Sequence, residues 1–242
     1  VSGEQSPQGR GQERETAETA AGNRVRQSLQ RAQHHLVVPL FGARMVEFAG
    51  LLHRETSVAA LEARLDAVLH AASAVDYSAA LSIRPGRRLM VRRAAFRREI
   101  QRDSLAGAFT LKLEARDPFE EAEALTEAEW PIAASPAVLA VASGGTAFAL
   151  PRIRLTAAGT LIRPAVSDGE RCLEYDGIVL EGSVLEVDAV RAQVTLDGED
   201  VTPCTRGEFP RIQPAETILT YTDEPGSAHQ ALATVAFRDR WW

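Results

Sequence analysis

Cysteine is almost missing from this chain: Cys172 and Cys204 are the only thiols in 242 residues, too few for a disulfide scaffold. One bridge between them stays open beside the plainer reading of two thiols in a reducing cytoplasm. Lysine is scarcer still, with Lys112 alone among 27 basic residues, and the surplus of arginine and alanine reads first as coding bias. No apolar run reaches the ~20 residues of a membrane helix, and the N-terminus lacks the basic-then-apolar order of a secretory signal, so a protein soluble when made is expected. A net charge of −6 removes any chain-wide attraction to nucleic acid. Paired catalytic carboxylates, a nucleophile with its histidine, ligand clusters and phosphate-cradling loops are missing too. No catalytic, cofactor-binding or metal residues are therefore expected, no cofactor, and no enzyme.

What is present is clearest between Arg97 and Glu121. Phe109, Leu111, Leu113 and Ala115 alternate with Thr110, Lys112, Glu114 and Arg116, the period of a strand with one dry and one wet face. Asp103, Ser104 and Gly107 supply turn chemistry before it, which predicts an antiparallel hairpin with the preceding run around Phe96 and Ile100. Asp117-Pro118-Phe119 ends the strand, because proline removes a donor and biases its predecessor away from helix.

The rest of the chain arranges itself around that hairpin. Residues 1–35 are polar, with too little apolar surface to offset their ordering entropy, and are expected to be disordered. Leu36 to Phe41 and Met45 to Leu51 read as paired strands around Gly42-Ala43-Arg44. His34 and His35 make a poor metal pair, since neighbours on a strand face opposite ways and no third ligand is near. Ser57 caps one long helix with Leu61, Leu65, Val68 and Leu69 along one stripe, expected to lie across a sheet. Tyr77 to Ile83 and Arg88 to Val91 resume strand character around Pro85-Gly86.

From Arg84 to Arg102 eight arginines stand against Glu99 alone. Such a stripe can track phosphates, but nucleic-acid sites add aromatic platforms or a docking helix, so a solvated or subunit-facing strand is the preferred reading. Residues 120–136, acidic and closed by Trp130-Pro131 and Ser135-Pro136, read as a linker. Beyond it, nine short β-prone runs from Val138 to Phe237, with turns at Asp176-Gly177, Asp197-Gly198 and Pro225-Gly226, have the spacing of a β-sandwich. Ser143-Gly144-Gly145-Thr146 suggests an anion loop but lacks a P-loop's lysine and helix, and Asp197-Gly198-Glu199-Asp200 suits a solvated hairpin turn better than calcium. The fold class expected is β-rich α+β: an N-terminal ring-forming domain over 36–119 with one long helix on a sheet, then a C-terminal sandwich over 137–242.

The order of these features resembles the distal tail protein family of long-tailed bacteriophages, from about Leu36 to the C-terminus. The resemblance is carried by Phe48-Ala49-Gly50, the helix, the arginine-rich hairpin and Asp117-Pro118-Phe119. Ala142 to Thr146, Pro151-Arg152-Ile153-Arg154-Leu155, and Leu185 to Asp188 with Arg191 follow in the family's order. Gly207-Glu208-Phe209-Pro210-Arg211-Ile212-Gln213-Pro214 is similar to the family's late segment, which continues Gly-x-Asn where this chain has Ala215-Glu216-Thr217. A glycine there implies a backbone conformation that alanine dislikes. The resemblance implies a virion protein of the tail tip, assembled in the host cytoplasm: a homo-hexameric ring joining the tail tube to a baseplate hub or tip, beside tube and tape measure proteins, with a galectin-like C-terminal domain projecting outward. No membrane or sequence-specific nucleic acid is implied. The alternatives are a sandwich that binds host carbohydrate, with Trp241-Trp242 as a platform or tucked against a sheet, and the equivalent joint of a gene transfer agent or phage-like bacteriocin.

Overall fold

The computed structural model describes residues 34–37 and 42–242, with side chains from position 42 onward. The extension expected over residues 1–35 lies outside the described residues except for His34 and His35, and Val38 to Phe41 lie outside them too. The chain divides into two units, one running to Leu81 and resuming over Leu89–Pro118, the other comprising Ser82–Arg88 and Phe119–Trp242.

In the first unit β1 (His34–Val37), β2 (Arg44–Leu52), α1 (Val58–Ala71), β3 (Ala79–Leu81), β4 (Arg87–Gln101) and β5 (Ala106–Ala115) follow in order. The strands stand β1-β2-β5-β4, with β3 on the first part of β4. Alternation sets one dry face: Val46 and Phe48 of β2 lie opposite Leu113 and Leu111 of β5, and all four are buried. Ser57 caps α1 by accepting from the Ala60 amide at 3.1 Å, and Leu61, Leu65 and Val68 are its buried stripe. Gly107 is not part of the hairpin turn, which occupies 102–105. It lies inside β5, where a Cβ would come 2.9 Å from the Leu61 side chain, so its lack of one lets the helix approach the strand. Gly50 serves the Phe109 ring in the same way, at 2.3 Å. The runs around Arg88 and Phe96 form one 15-residue strand, β4, with a register shift between Arg93 and Ala95.

The second unit holds β6 (Glu120–Ala122), β7 (Thr126–Ile132), β8 (Ala137–Ser143), β9 (Arg152–Ala157), β10 (Leu161–Ile162), β11 (Ala165–Ser167), β12 (Cys172–Tyr175), β13 (Ile178–Val179), β14 (Val184–Asp188), β15 (Gln193–Leu196), β16 (Glu199–Asp200), β17 (Thr205–Gly207), β18 (Ala215–Thr222), β19 (Ala231–Phe237) and β20 (Arg240–Trp241). Two sheets, ordered β17-β12-β11-β18-β8 and β16-β15-β14-β9-β19-β7, share one core. That core includes Val141, Leu219 and Tyr221 from the first sheet and Ile153, Leu155, Val187, Val235 and Phe237 from the second. The stretch 120–136 is not a linker. It contains β6 and all of β7, which pairs with β19 over seven positions, and Trp130 is buried edge-on to Tyr221 with ring centroids 6.4 Å apart. Acidic composition misled the reading because the glutamates of β7 face water while its alternate positions face the core. The run from Leu161 to Val166 breaks at Arg163, whose φ is +49° and whose guanidinium meets Glu174, Asp176 and Glu224.

The chain is thus β-rich with one long helix among the described residues.

Candidate assembly surface

The fold uses most of the arginines between Arg84 and Arg102 internally. The bulge after Arg93 reverses which face successive residues take, so Arg93 and Arg98 both reach α1. Arg93 Nη1 donates to the Leu69 carbonyl at 3.3 Å in the last turn of the helix, where unpaired carbonyls attract cations. Arg98 pairs with Asp66 at 2.7 Å. On the wet face Arg92 makes two hydrogen bonds to Glu114, at 3.0 and 2.7 Å, and Tyr77 donates to the same carboxylate at 3.0 Å. The Arg92 bonds, with that of Tyr77, hold the Glu114 carboxyl below the usual range, while loss of hydration pushes the Tyr77 phenol up. Arg87 and Arg88 begin β4 but belong to the second unit, at 3.8 Å from Glu120 and 3.5 Å from Glu121. Charge spent this way holds strands and helix together and leaves no continuous phosphate track. Arg84, Arg97 and Arg102 stay exposed. From Ala94 to Gln101 no further strand lies outside β4 among the described residues, so the sheet of the first unit ends there in an open edge.

In the second unit the terminal strand gathers aromatic and cationic side chains. β20 pairs with β6, which pairs with Arg87 and Arg88. The Arg87 guanidinium covers the Trp241 ring at 3.9 Å, and Arg240, itself buried, covers Phe119 at 4.4 Å. Trp242 packs on Phe119 with centroids 4.2 Å apart while staying 64% exposed. Trp241 is therefore tucked against its sheet, and Trp242 is propped on Phe119.

The motif residues have structural duties. In Ser143-Gly144-Gly145-Thr146 the Gly145 amide donates to Ser143 Oγ, and the Thr146 and Ala147 amides both donate to the Arg240 carbonyl. A Cβ on Gly145 would lie 2.4 Å from that carbonyl oxygen, so the glycine admits β20, and the loop's amides are not aimed at an anion. Asp197 and Gly198, at φ +51° and +89°, make a two-residue hairpin turn; Asp197 also accepts from the Val184 amide, and Asp200 from that of Thr202. The Val184 amide and Ser183 hydroxyl hold the Asp197 carboxyl, and the Thr202 hydroxyl and amide that of Asp200, below the usual range.

Gly207, at φ +97°, lies where a Cβ would strike the Cys172 carbonyl at 2.0 Å. Ile212, wholly buried, exchanges backbone hydrogen bonds with Ala149. Sequence reasoning missed Asp168, whose buried carboxylate accepts the Glu170, Arg171 and Arg211 amides. Its burial works to raise its pKa, but those three bonds outweigh it and the shift is downward. The Asp-Gly of residues 168–169 was a turn signal that could have found it. Ala215 takes φ +70°, the left-handed conformation that the glycine of the family pattern implies.

The cysteines sit at opposite ends of the β12–β17 pair. Glu208 donates to the Cys172 carbonyl and Asp176 to that of Cys204, which puts the thiols four positions, ~13 Å, apart along the strands. Both are free, and that span exceeds what a disulfide bridges.

Residues 144–241 match the family model of the siphovirus-type tail component, C-terminal domain. That stretch is therefore similar to siphovirus tail components. The crystal structure of the SPP1 Dit (gp 19.1) protein, described as a paradigm of the hub adsorption apparatus in phages infecting Gram-positive hosts, is similar in fold, with TM-score 0.62 and 15% identity over 87% of this chain and 88% of that one. No curated protein sequence matches the chain. The resemblance to distal tail proteins drawn from the order of motifs is thereby borne out, and the Gly145, Gly207 and Ile212 contacts are the physical content of the motifs that carry it.

Proposed function

We propose that the chain is the distal tail hub of a siphophage, six copies forming a ring that joins the tail tube to the tail tip. The observation that carries this reading is the likeness in fold to the Dit hub protein over both units. The first unit, ending at Pro118, supplies the ring. Its sheet finishes in the open β4 edge from Ala94 to Gln101, and exposed Arg97, with Arg102 just beyond the strand, suits carboxylates of a neighbouring protomer. The second unit, a two-sheet domain read as galectin-like, projects outward and meets the hub or tip protein, while tube and tape measure proteins meet the ring. The protein's work is assembly and geometry.

Native mass spectrometry and negative-stain imaging of the purified chain test the proposal. The expected result is a sixfold ring that Arg97→Glu combined with Arg102→Glu disperses. A strict monomer at high concentration, with no ring in assembled particles, overturns it.

A further inference from the structure

The two sheets of the second unit end in four strands, three of which carry features that deter further pairing. β16 is two acidic residues, β17 is three residues including Arg206, and β7 presents Glu127, Glu129 and Pro131. Shortness, charge and proline each protect a sheet edge. β8 has none of them. It reads Ala-Val-Leu-Ala-Val-Ala-Ser, seven residues without charge or proline, and no strand lies beyond it among the described residues. On its outer face Val138 is 66% exposed and Ala140 and Ala142 are open, and β18 beside it adds Ile218, 57% exposed.

Charge decides what fits there. The outer face of the other sheet carries Glu127, Glu129, Arg152, Arg154 and Glu186, so that two copies meeting there would have to strip water from charges of both signs. In a chain of net charge −6, β8 itself brings no carboxylate to the contact, and the nearest on that face, Glu216 of β18, stands beside Ala142 and away from Ala140. The strand also complements itself. Laid antiparallel on its own copy about Ala140, it sets Val138 against Ala142 and Leu139 against Val141 twice over, with small or aliphatic side chains in every pair.

We propose that β8 is a self-association edge, where a second copy of this chain adds its own β8 antiparallel about a two-fold axis at Ala140 and joins the two five-stranded sheets into one. This contact is independent of the ring, and in a ring-forming protein it would link rings in pairs.

The test uses the full chain carrying Cys172→Ser and Cys204→Ser. At the two-fold axis the Ala140 Cα atoms of the two copies would stand about 4.5–5.5 Å apart, within disulfide reach. Ala140→Cys in this background is therefore expected to give a dimer resistant to denaturant and sensitive to reductant on mild oxidation. Ala140→Lys, a charge on the edge, is expected to halve the native mass with unchanged thermal unfolding, whether the wild type is a pair of rings or a simple dimer. Imaging separates the two readings, since a ring that persists at half mass keeps the hub proposal intact. An Ala140→Cys protein that reacts with maleimide yet forms no dimer overturns the inference. So does a cross-link made in assembled particles to a different tail protein.

Discussion

The two units bury their apolar side chains by different means. Among the described residues the first has one sheet and one helix, so β2 and β5 keep a dry face toward the Leu61 and Leu65 stripe and a wet face laced by Glu47–Lys112 and Arg92–Glu114 pairs. The second closes two sheets over a shared core that takes Trp130, Tyr221 and Phe237 whole. A sheet covered on one side advertises itself in sequence by strict alternation and strong charge. A two-sheet core draws from many short strands, each contributing a few residues, and its boundary is set by which strands find partners. The same contrast governs the edges: β4 is decorated with arginine, whereas β8 is bare.

The widest separation between the units should come from Trp130→Ala, expected to cost about 3–5 kcal/mol by opening a cavity in the two-sheet core. Hydrogen exchange should show protection lost across β7, β18 and β19 and kept in β2 and β5; equal loss in both units would erase the contrast. Leu61→Ala is the converse experiment, costing about 2–4 kcal/mol in the first unit by uncovering Gly107, with the exchange pattern reversed.

A smaller effect separates charge used inside the fold from charge used at its surface. Asp168→Asn removes the charge from three amide bonds and should cost about 1–2 kcal/mol in denaturant unfolding near neutral pH. Because the folded pKa of Asp168 lies below its unfolded value, this stabilisation is complete above the unfolded pKa of about 3.9 and is lost as pH falls through the folded one. Wild type and variant stabilities should therefore converge in acid, and a gap that persists at low pH would count against the role. The smallest shift runs the other way: Ala215→Gly relieves the φ of +70° and should raise stability by up to about 1 kcal/mol in a thermal melt, whereas a loss would mean that this conformation carries no strain.

Much of the first unit was legible because periodicity reports directly on a half-covered sheet. Phe109, Leu111, Leu113 and Ala115 declared β5, and Ser57 with Leu61, Leu65 and Val68 declared α1. The Asp197-Gly198 turn was legible for a local reason, since both residues tolerate positive φ. The wet and dry halves of β7 were not, because Glu127 and Glu129 outweighed Trp130 in composition while pairing with β19, a hundred residues later, decided the matter. No local pattern shows that Cys172 and Cys204 take opposite ends of a strand pair, or that the bulge after Arg93 turns Arg93 and Arg98 toward the helix.

By itself the sequence determined the β-rich class, the long helix after Ser57, the break after Asp117 and the order of motifs that resembles the distal tail proteins, since each follows from residue type and spacing. Tertiary structure alone decided which charges are spent inside the fold and which strands stand at sheet edges. Those depend on long-range pairing, and with them goes the choice between the arginine edge of β4 and the bare edge of β8 as surfaces for other chains.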